Sequence, residues 1–213
     1  ALEWLASAGE LPGSVVTSLP DITELSYLRM SADEYSVWFV SAASQVLRRA
    51  PRDAVVVFYQ TDFRKAGVWV DKSALCFLAA REVGATLLFH KIVCTAPPDT
   101  CERDKPRPRY THLVCYSRGL KDDMRESTPD VLADRGHMTW ERAMGVRPCE
   151  MACKYIARLA PEQHRAVVDP FCGRGTALAV ANALGMDALG VERNKERCRI
   201  ARNLQVQLEE ETS

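Results

Sequence analysis

The chain has 213 residues, 47% of them hydrophobic and 26% charged, enough apolar side chain for a full core and too little length for more than two domains. Basic and acidic residues balance at 28 each, so no global field marks a non-specific nucleic-acid binder, although a local basic patch stays compatible with that balance. No apolar run approaches the roughly 20 residues of a membrane span and no secretory leader opens the chain, so an intracellular protein of the cytoplasm or nucleus is expected, with an organelle as the alternative. The eight cysteines form no C-x-x-C pair, and several sit in apolar runs such as SALCFLAA. They read as reduced thiols rather than as a metal or disulfide framework.

In chain order, SVVTS (14–18) is a short β-branched strand that ends at Pro20-Asp21. DEYSVWFVSAASQVLRR (33–49) carries apolar groups at helical spacing and closes on two arginines before Pro51. DAVVVFYQTD (53–62) is nearly all apolar, as in a strand covered on both faces. A helix over 72–84 and strands over 85–94 and 111–118 follow, with a proline-rich, partly basic loop between the two strands. Residues 119–148 are polar and irregular, and 152–161 form a short helix. The pattern then gives strand AVVD, helix TALAVANALG, strand DALGVE and a last helix capped by Asn194 that runs to about Leu208. Strands alternate with helices almost throughout, which predicts one α/β domain with a largely parallel sheet.

The chemistry concentrates in VVDPFCGRGTALAV (167–180). Asp169 ends a strand, Gly173 and Gly175 make a turn through which backbone can approach a ligand, and Thr176 starts a helix. Seventeen residues past Gly175, Glu192 ends the next strand, where an acid can accept hydrogen bonds from both hydroxyls of a ribose. The turn is F-C-G-R-G-T rather than G-x-G-x-x-G, so a dinucleotide is not indicated.

This segment resembles the S-adenosylmethionine turn of class I methyltransferases, in the DPF-x-G-x-G-T form of the DNA and RNA amino-methyltransferases. The stretch ALGMDALGVERNKERCRIAR is similar to that family's next strand and helix. The resemblance implies S-adenosylmethionine as cofactor and S-adenosylhomocysteine as product. It places Asp169, Pro170, Phe171, Cys172, Gly173, Gly175, Thr176, Glu192 and Arg193 in the cofactor site. It also accounts for so late a cofactor turn: the circularly permuted N4-cytosine/N6-adenine branch puts the catalytic half first. The implied fold is a Rossmann-like sheet in the order 3-2-1-4-5-7-6 with the last strand antiparallel. Its catalytic half would span about 1–118, a connecting segment 119–150 and the cofactor half 151–213. Pro148 and the helix at 152–160 would cover the methionine end of the cofactor, and TWERAMG (139–145) would join the pocket wall or simply pack as an irregular segment.

The family's catalytic tetrapeptide, D/N/S-P-P-Y/F/W, corresponds to Ser18-Leu19-Pro20-Asp21. In relatives the polar residue and a proline carbonyl accept hydrogen bonds from the target amine, while the aromatic stacks on the base. Ser18, Pro20 and Asp21 are therefore the candidate catalytic residues, with Leu19 beside the substrate. Leu19 replaces a proline and Asp21 the aromatic, which shifts the expectation from amine methylation toward an unspecified nitrogen or oxygen nucleophile. Asp21 is open to two readings, a proton acceptor or the first residue of a capping box with Glu24, and the two are compatible. Tyr59 to Asp62 end the next strand near the switch point, and Arg64, Lys65 and Trp69 follow as basic and aromatic groups able to grip nucleic acid or as a solvated loop. His90 and His112 read as structural.

The function implied is methylation of a nucleic-acid base. RNA is expected over DNA because no sizeable segment is spare for reading a major groove; a DNA amino-methyltransferase or an inactive methyltransferase-like subunit are the alternatives. With zero net charge, substrate capture calls for a partner subunit, a homo-oligomer or a local basic face from Arg103, Lys105, Arg107, Arg109 and Arg118. No membrane partner is expected.

Overall fold

The computed structural model describes residues 1–97, 107–123 and 126–208. Helix α1 (Leu2–Ser7) leads into β1 (Ser14–Thr17), a 3-10 turn (Ser26–Leu28), α2 (Ala32–Arg49) and β2 (Val56–Gln60). A hairpin of β3 (Phe63–Lys65) and β4 (Val68–Val70) precedes α3 (Lys72–Val83), β5 (Thr86–Cys94), β6 (Tyr110–Ser117) and the short β7 (Val131–Leu132). Then come α4 (Val146–Leu159), β8 (Val167–Asp169), α5 (Thr176–Ala183), β9 (Ala188–Gly190) and α6 (Lys195–Asn203).

Seven strands form one sheet in the order β7-β5-β6-β2-β1-β8-β9. Pairing is parallel except for β6, which runs antiparallel to both β2 and β5. Taken across the sheet from β5 to β9, the strands fill the expected positions 6-7-5-4-1-2, including the antiparallel strand. The edge differs from the expectation. Among the described residues nothing pairs beyond β9, and the seventh strand lies at the opposite edge beside β5.

The period-2 alternation of the central strands builds two cores. Val15, Val56, Phe58, Val114, Tyr116 and Val168 face one layer of helices, with Leu5 of α1, Phe39 of α2 and Leu75 of α3. Val16, Val57, Leu113, Cys115 and Val167 face the other, with Ile156 of α4 and Val180 of α5. Helix α2 starts where Ser31 and Glu34 form a reciprocal capping box and ends on Arg48 and Arg49, which complement the helix dipole.

Three elements depart from expectation. Helix α4 begins at Val146 because Pro148 sits in its first turn, where a missing N–H breaks no intrahelical bond. The stretch after β2 is a hairpin rather than a loop: Ala66 and Gly67 take φ of +50° and +79°, the left-handed pair that a two-residue turn between twisted strands requires. Helix α6 stops at Asn203, short of Leu208.

Candidate active site

Strand β8 delivers Asp169 to the carboxyl edge of the sheet. Its carboxylate is 1% exposed and accepts hydrogen bonds from the Thr17 hydroxyl at 2.6 Å and the Phe171 N–H at 3.0 Å. Burial pushes its pKa up to about 7, opposed by those two bonds and reinforced by the charge of Glu192. The turn that follows is pinned on both sides. The Gly175 N–H donates to the Cys172 carbonyl, the Cys172 N–H to the Val191 carbonyl, and the Val191 N–H back to the Asp169 carbonyl. Gly175 takes φ +83°, and a Cβ there would come within 2.8 Å of the Ala201 methyl on α6. Glu192 leaves β9 at the same edge and accepts from the Asn194 N–H at 2.8 Å.

These groups line a cavity of about 620 Å³. It is lined by the turn Asp169–Gly173 with Thr176, Glu192 and Arg193, and by Ser18 and Pro20, which follow the end of the neighbouring strand β1. Gly175 supports the turn from behind and does not line the cavity. Within TWERAMG, Trp140, Arg142, Ala143 and Met144 line it, and the Thr139 and Thr176 hydroxyls bond at 2.6 Å. The Trp140 ring holds the guanidinium groups of Arg174 and Arg197 at 5.0 and 5.7 Å. Pro148 and the body of α4 instead lie in the core, so the cavity meets only the residues just before that helix.

Sequence reasoning missed the first residues of the chain, the turn carrying Leu25, Tyr27 and Leu28, and Trp38, all of which line the cavity. Nothing in their spacing distinguishes them from ordinary apolar residues. Arg193, which packs against the Tyr27 ring at 5.2 Å, connects that turn to the cofactor half.

At the catalytic tip the four residues separate. Ser18 and Pro20 face the cavity, whereas Leu19 is 2% exposed and packs into the core, so it does not sit beside a substrate there. The Tyr35 hydroxyl donates to the Pro20 carbonyl at 2.9 Å. Asp21 does not line the cavity. Its carboxylate is paired with Lys72 Nζ at 3.0 Å and with Arg107 at 3.1 Å. Burial alone would raise its pKa; the Lys72 and Arg107 charges outweigh that and hold it below the usual value. The capping pattern is realised in part: the Glu24 carboxylate accepts from the Asp21 N–H, while Asp21 accepts from the Thr23 N–H, and a turn rather than an α-helix follows.

Arg64, Lys65 and Trp69 stand on the hairpin and line no part of the cavity. Arg64 lies over the Trp69 ring at 4.8 Å and Lys65 donates to the Met30 carbonyl at 2.8 Å. Of the expected basic face, Arg103 and Lys105 lie outside the described residues, Arg107 is committed to Asp21, and Arg118 donates to the Ala50 carbonyl. The described cysteines are free thiols.

The glycine turn also tests whether the residues present suit S-adenosylmethionine. The volume falls within the usual small-molecule range of roughly 300–1,000 Å³, and an acid stands at the edge of the cavity beside a turn whose Gly173 has only the Trp140 ring, at 3.5 Å, near its missing Cβ. The fit is good.

Solved structures with the same fold include a PvuII DNA methyltransferase, cytosine-N4-specific, at 19% identity and TM-score 0.73, covering 98% of this chain and 85% of that one. A putative DNA modification methylase from Thermus thermophilus matches at 19% identity and TM-score 0.67, covering 93% and 88%. The same Thermus protein complexed with S-adenosyl-L-methionine matches at 19% and TM-score 0.65, covering 93% and 87%. No curated protein sequence matches the chain. The sequence family described as DNA methylase, of the N6/N4 type, matches residues 27–203. That span takes in β2 and the whole cofactor turn, and the chain belongs to this DNA methylase family.

Proposed function

We propose that the protein is an S-adenosylmethionine-dependent methyltransferase that modifies a base nitrogen in DNA. The observation that carries this reading is the single cavity lined both by Ser18 and Pro20 and by residues of the Asp169–Thr176 turn and Glu192. Membership of the DNA methylase family favours DNA over the RNA expected from the short spare segments. The names of the structural relatives point the same way. When bound, the cofactor supplies an electrophilic methyl on a sulfonium.

The chain's own residues bind and orient. Glu192 accepts hydrogen bonds from ribose hydroxyls, Asp169 fixes the turn through Thr17 and Phe171, and the Gly173 backbone approaches the ligand. The Ser18 hydroxyl accepts a hydrogen bond from the incoming N–H and aligns its lone pair. The Pro20 carbonyl keeps one lone pair for the same task, since Tyr35 occupies the other. Asp21 acts as the counter-ion that holds this tip in place, because two cations already occupy its carboxylate.

Calorimetry with S-adenosylmethionine and S-adenosylhomocysteine should show micromolar binding of both. Transfer of a tritiated methyl to unmethylated DNA should exceed transfer to RNA. Label appearing in RNA alone would reject the substrate, and absence of cofactor binding by folded protein would reject the reading as a whole. Glu192→Ala should weaken binding by about 1.5–3 kcal/mol, the worth of hydrogen bonds to a charged group; unchanged affinity would remove Glu192 from the site.

A further inference from the structure

The hairpin of β3 and β4 has an aspartate at each foot. Asp62 precedes Phe63 and Asp71 follows Val70, and both carboxylates converge with the His112 imidazole of β6, one donor atom from each within 4.8 Å of the others. Asp62 is 1% exposed, and His112 Nε2 stands 2.9 Å from its Oδ2. The nearby lysine gives it no ammonium: Lys72 Nζ goes to Asp21, and it is the Lys72 backbone N–H that reaches Asp62, at 2.8 Å. These neutral donors satisfy the Asp62 oxygens but leave two carboxylates side by side, negative charge that a bound cation would neutralise. His112 in turn is oriented from behind by His90, Nε2 to Nδ1 at 2.9 Å. A ring nitrogen held in this way is the outer support that metal-binding imidazoles have.

We propose that Asp62, Asp71 and His112 form a binding site for one divalent transition-metal ion, which ties both feet of the hairpin to β6. One imidazole with two carboxylates suits zinc, cobalt or manganese better than calcium or magnesium, which favour all-oxygen sets. Donors around a common zinc lie about 2.0–2.2 Å from the ion, a contraction that a small shift of the exposed Asp71 carboxylate supplies while its Oδ1 keeps capping α3 by accepting from the Ala74 N–H. Binding requires His112 to present a bare Nε2. Its proton moves to Nδ1 and is donated to His90, whose own proton shifts to the far nitrogen. The carboxylate–imidazole hydrogen bond is replaced by metal coordination with no oxidation or reduction. The Trp69 indole N–H, 3.3 Å from Asp62 Oδ2, extends the support to the exposed face of the hairpin.

The test uses the full chain, stripped with chelator and titrated with Co²⁺. The proposal expects one bound equivalent, visible d–d bands and no thiolate-to-cobalt charge-transfer band. His112→Ala and Asp71→Asn should abolish that binding, the latter keeping an N-cap for α3, because asparagine caps as well as aspartate. His90→Ala should weaken it about 10–100-fold, as loss of an outer-shell partner does. Tryptic cleavage after Arg64 and Lys65 should slow severalfold with metal bound. Circular dichroism and S-adenosylmethionine affinity serve as folding controls, since none of the three ligands lines the cofactor cavity. Absence of cobalt binding, a thiolate band, or binding that survives both Asp71→Asn and His112→Ala would overturn the site. Metal binding with unchanged cleavage would overturn the tie to the hairpin.

Discussion

Lys72 carries its ammonium into an almost fully buried box made of the Tyr35, Phe39 and Phe63 rings, at 5.8, 5.9 and 5.7 Å, and closed by Asp21. Burial lowers the Lys72 pKa while Asp21 opposes that shift. Removing one member of such a pair strands the other, so Asp21→Ala should cost about 3–5 kcal/mol in urea unfolding. Asp21→Asn combined with Lys72→Met should recover most of that loss. If the single variant proves neutral, the pair is not what holds the tip. Asp169 and Asp21 also give opposite dependences on pH. The raised pKa of Asp169 means that its contribution is full below its ordinary value near 3.8 and is lost as pH climbs through about 7. The lowered pKa of Asp21 means that its contribution is present above about 3.8 and fades only in stronger acid. The ligand-free protein should therefore lose stability between about pH 4 and 7, by up to about 1.4 kcal/mol per pH unit, and Asp169→Asn should flatten that slope in thermal melts. None of this was legible in the sequence, because Lys72 stands 51 positions from Asp21 and only the packing of α3 against the tip brings them together. The glycine turn was legible because its chemistry is local: an acid, two glycines and a second acid at fixed spacing.

At the scale of elements, the reading succeeded wherever one face was buried. Alternation in β1, β2 and β6 maps directly onto two cores, and the Ser31–Glu34 box caps α2 two residues from where periodicity places its start. It failed where meaning depended on a neighbour. Pro148 stands at the end of a stretch that reads as irregular, yet it occupies a first turn; Ala66-Gly67 reads as loop, yet it closes a hairpin. Asp21 and Glu24 have the spacing of a helix start, and only a turn follows because Pro20 and Tyr35 fix the chain before it. Gly175 shows how closely elements meet behind the cofactor turn. Gly175→Ala must accept a left-handed backbone and displace Ala201, which together should cost about 1–3 kcal/mol and weaken S-adenosylmethionine binding. A variant with wild-type unfolding midpoint and affinity would show that α6 moves freely there.

For the whole molecule, zero net charge concealed a local concentration of charged groups. Arg142, Arg193 and Arg197 line the cofactor cavity and Arg174 stacks against its Trp140 wall, interleaved with the acids Glu3, Glu24, Asp169 and Glu192, so charges of both signs gather at the carboxyl edge of the sheet. The permuted order was legible because the strand–helix pattern begins with the catalytic tip and ends with the glycine turn. The β7 edge was not, since that strand has two residues, too short for any period to register, whereas β9 falls within the strand read from DALGVE. The preference for RNA came from counting spare residues, and the match to a DNA methylase family favours DNA instead.

One consequence of the permuted order concerns the ribosome. Strand β1 is central in the sheet, paired on one side to β2 and on the other to β8, and Thr17 reaches its hydrogen-bond partner Asp169 across 152 positions. At typical synthesis rates that interval lasts roughly ten to thirty seconds. Throughout it, the apolar edge formed by Val15 and Val16 can pair with β2 but has no partner on its other flank. A nascent chain thus exposes the middle of its own sheet as an unpaired edge, the kind of surface on which chains aggregate and chaperones act.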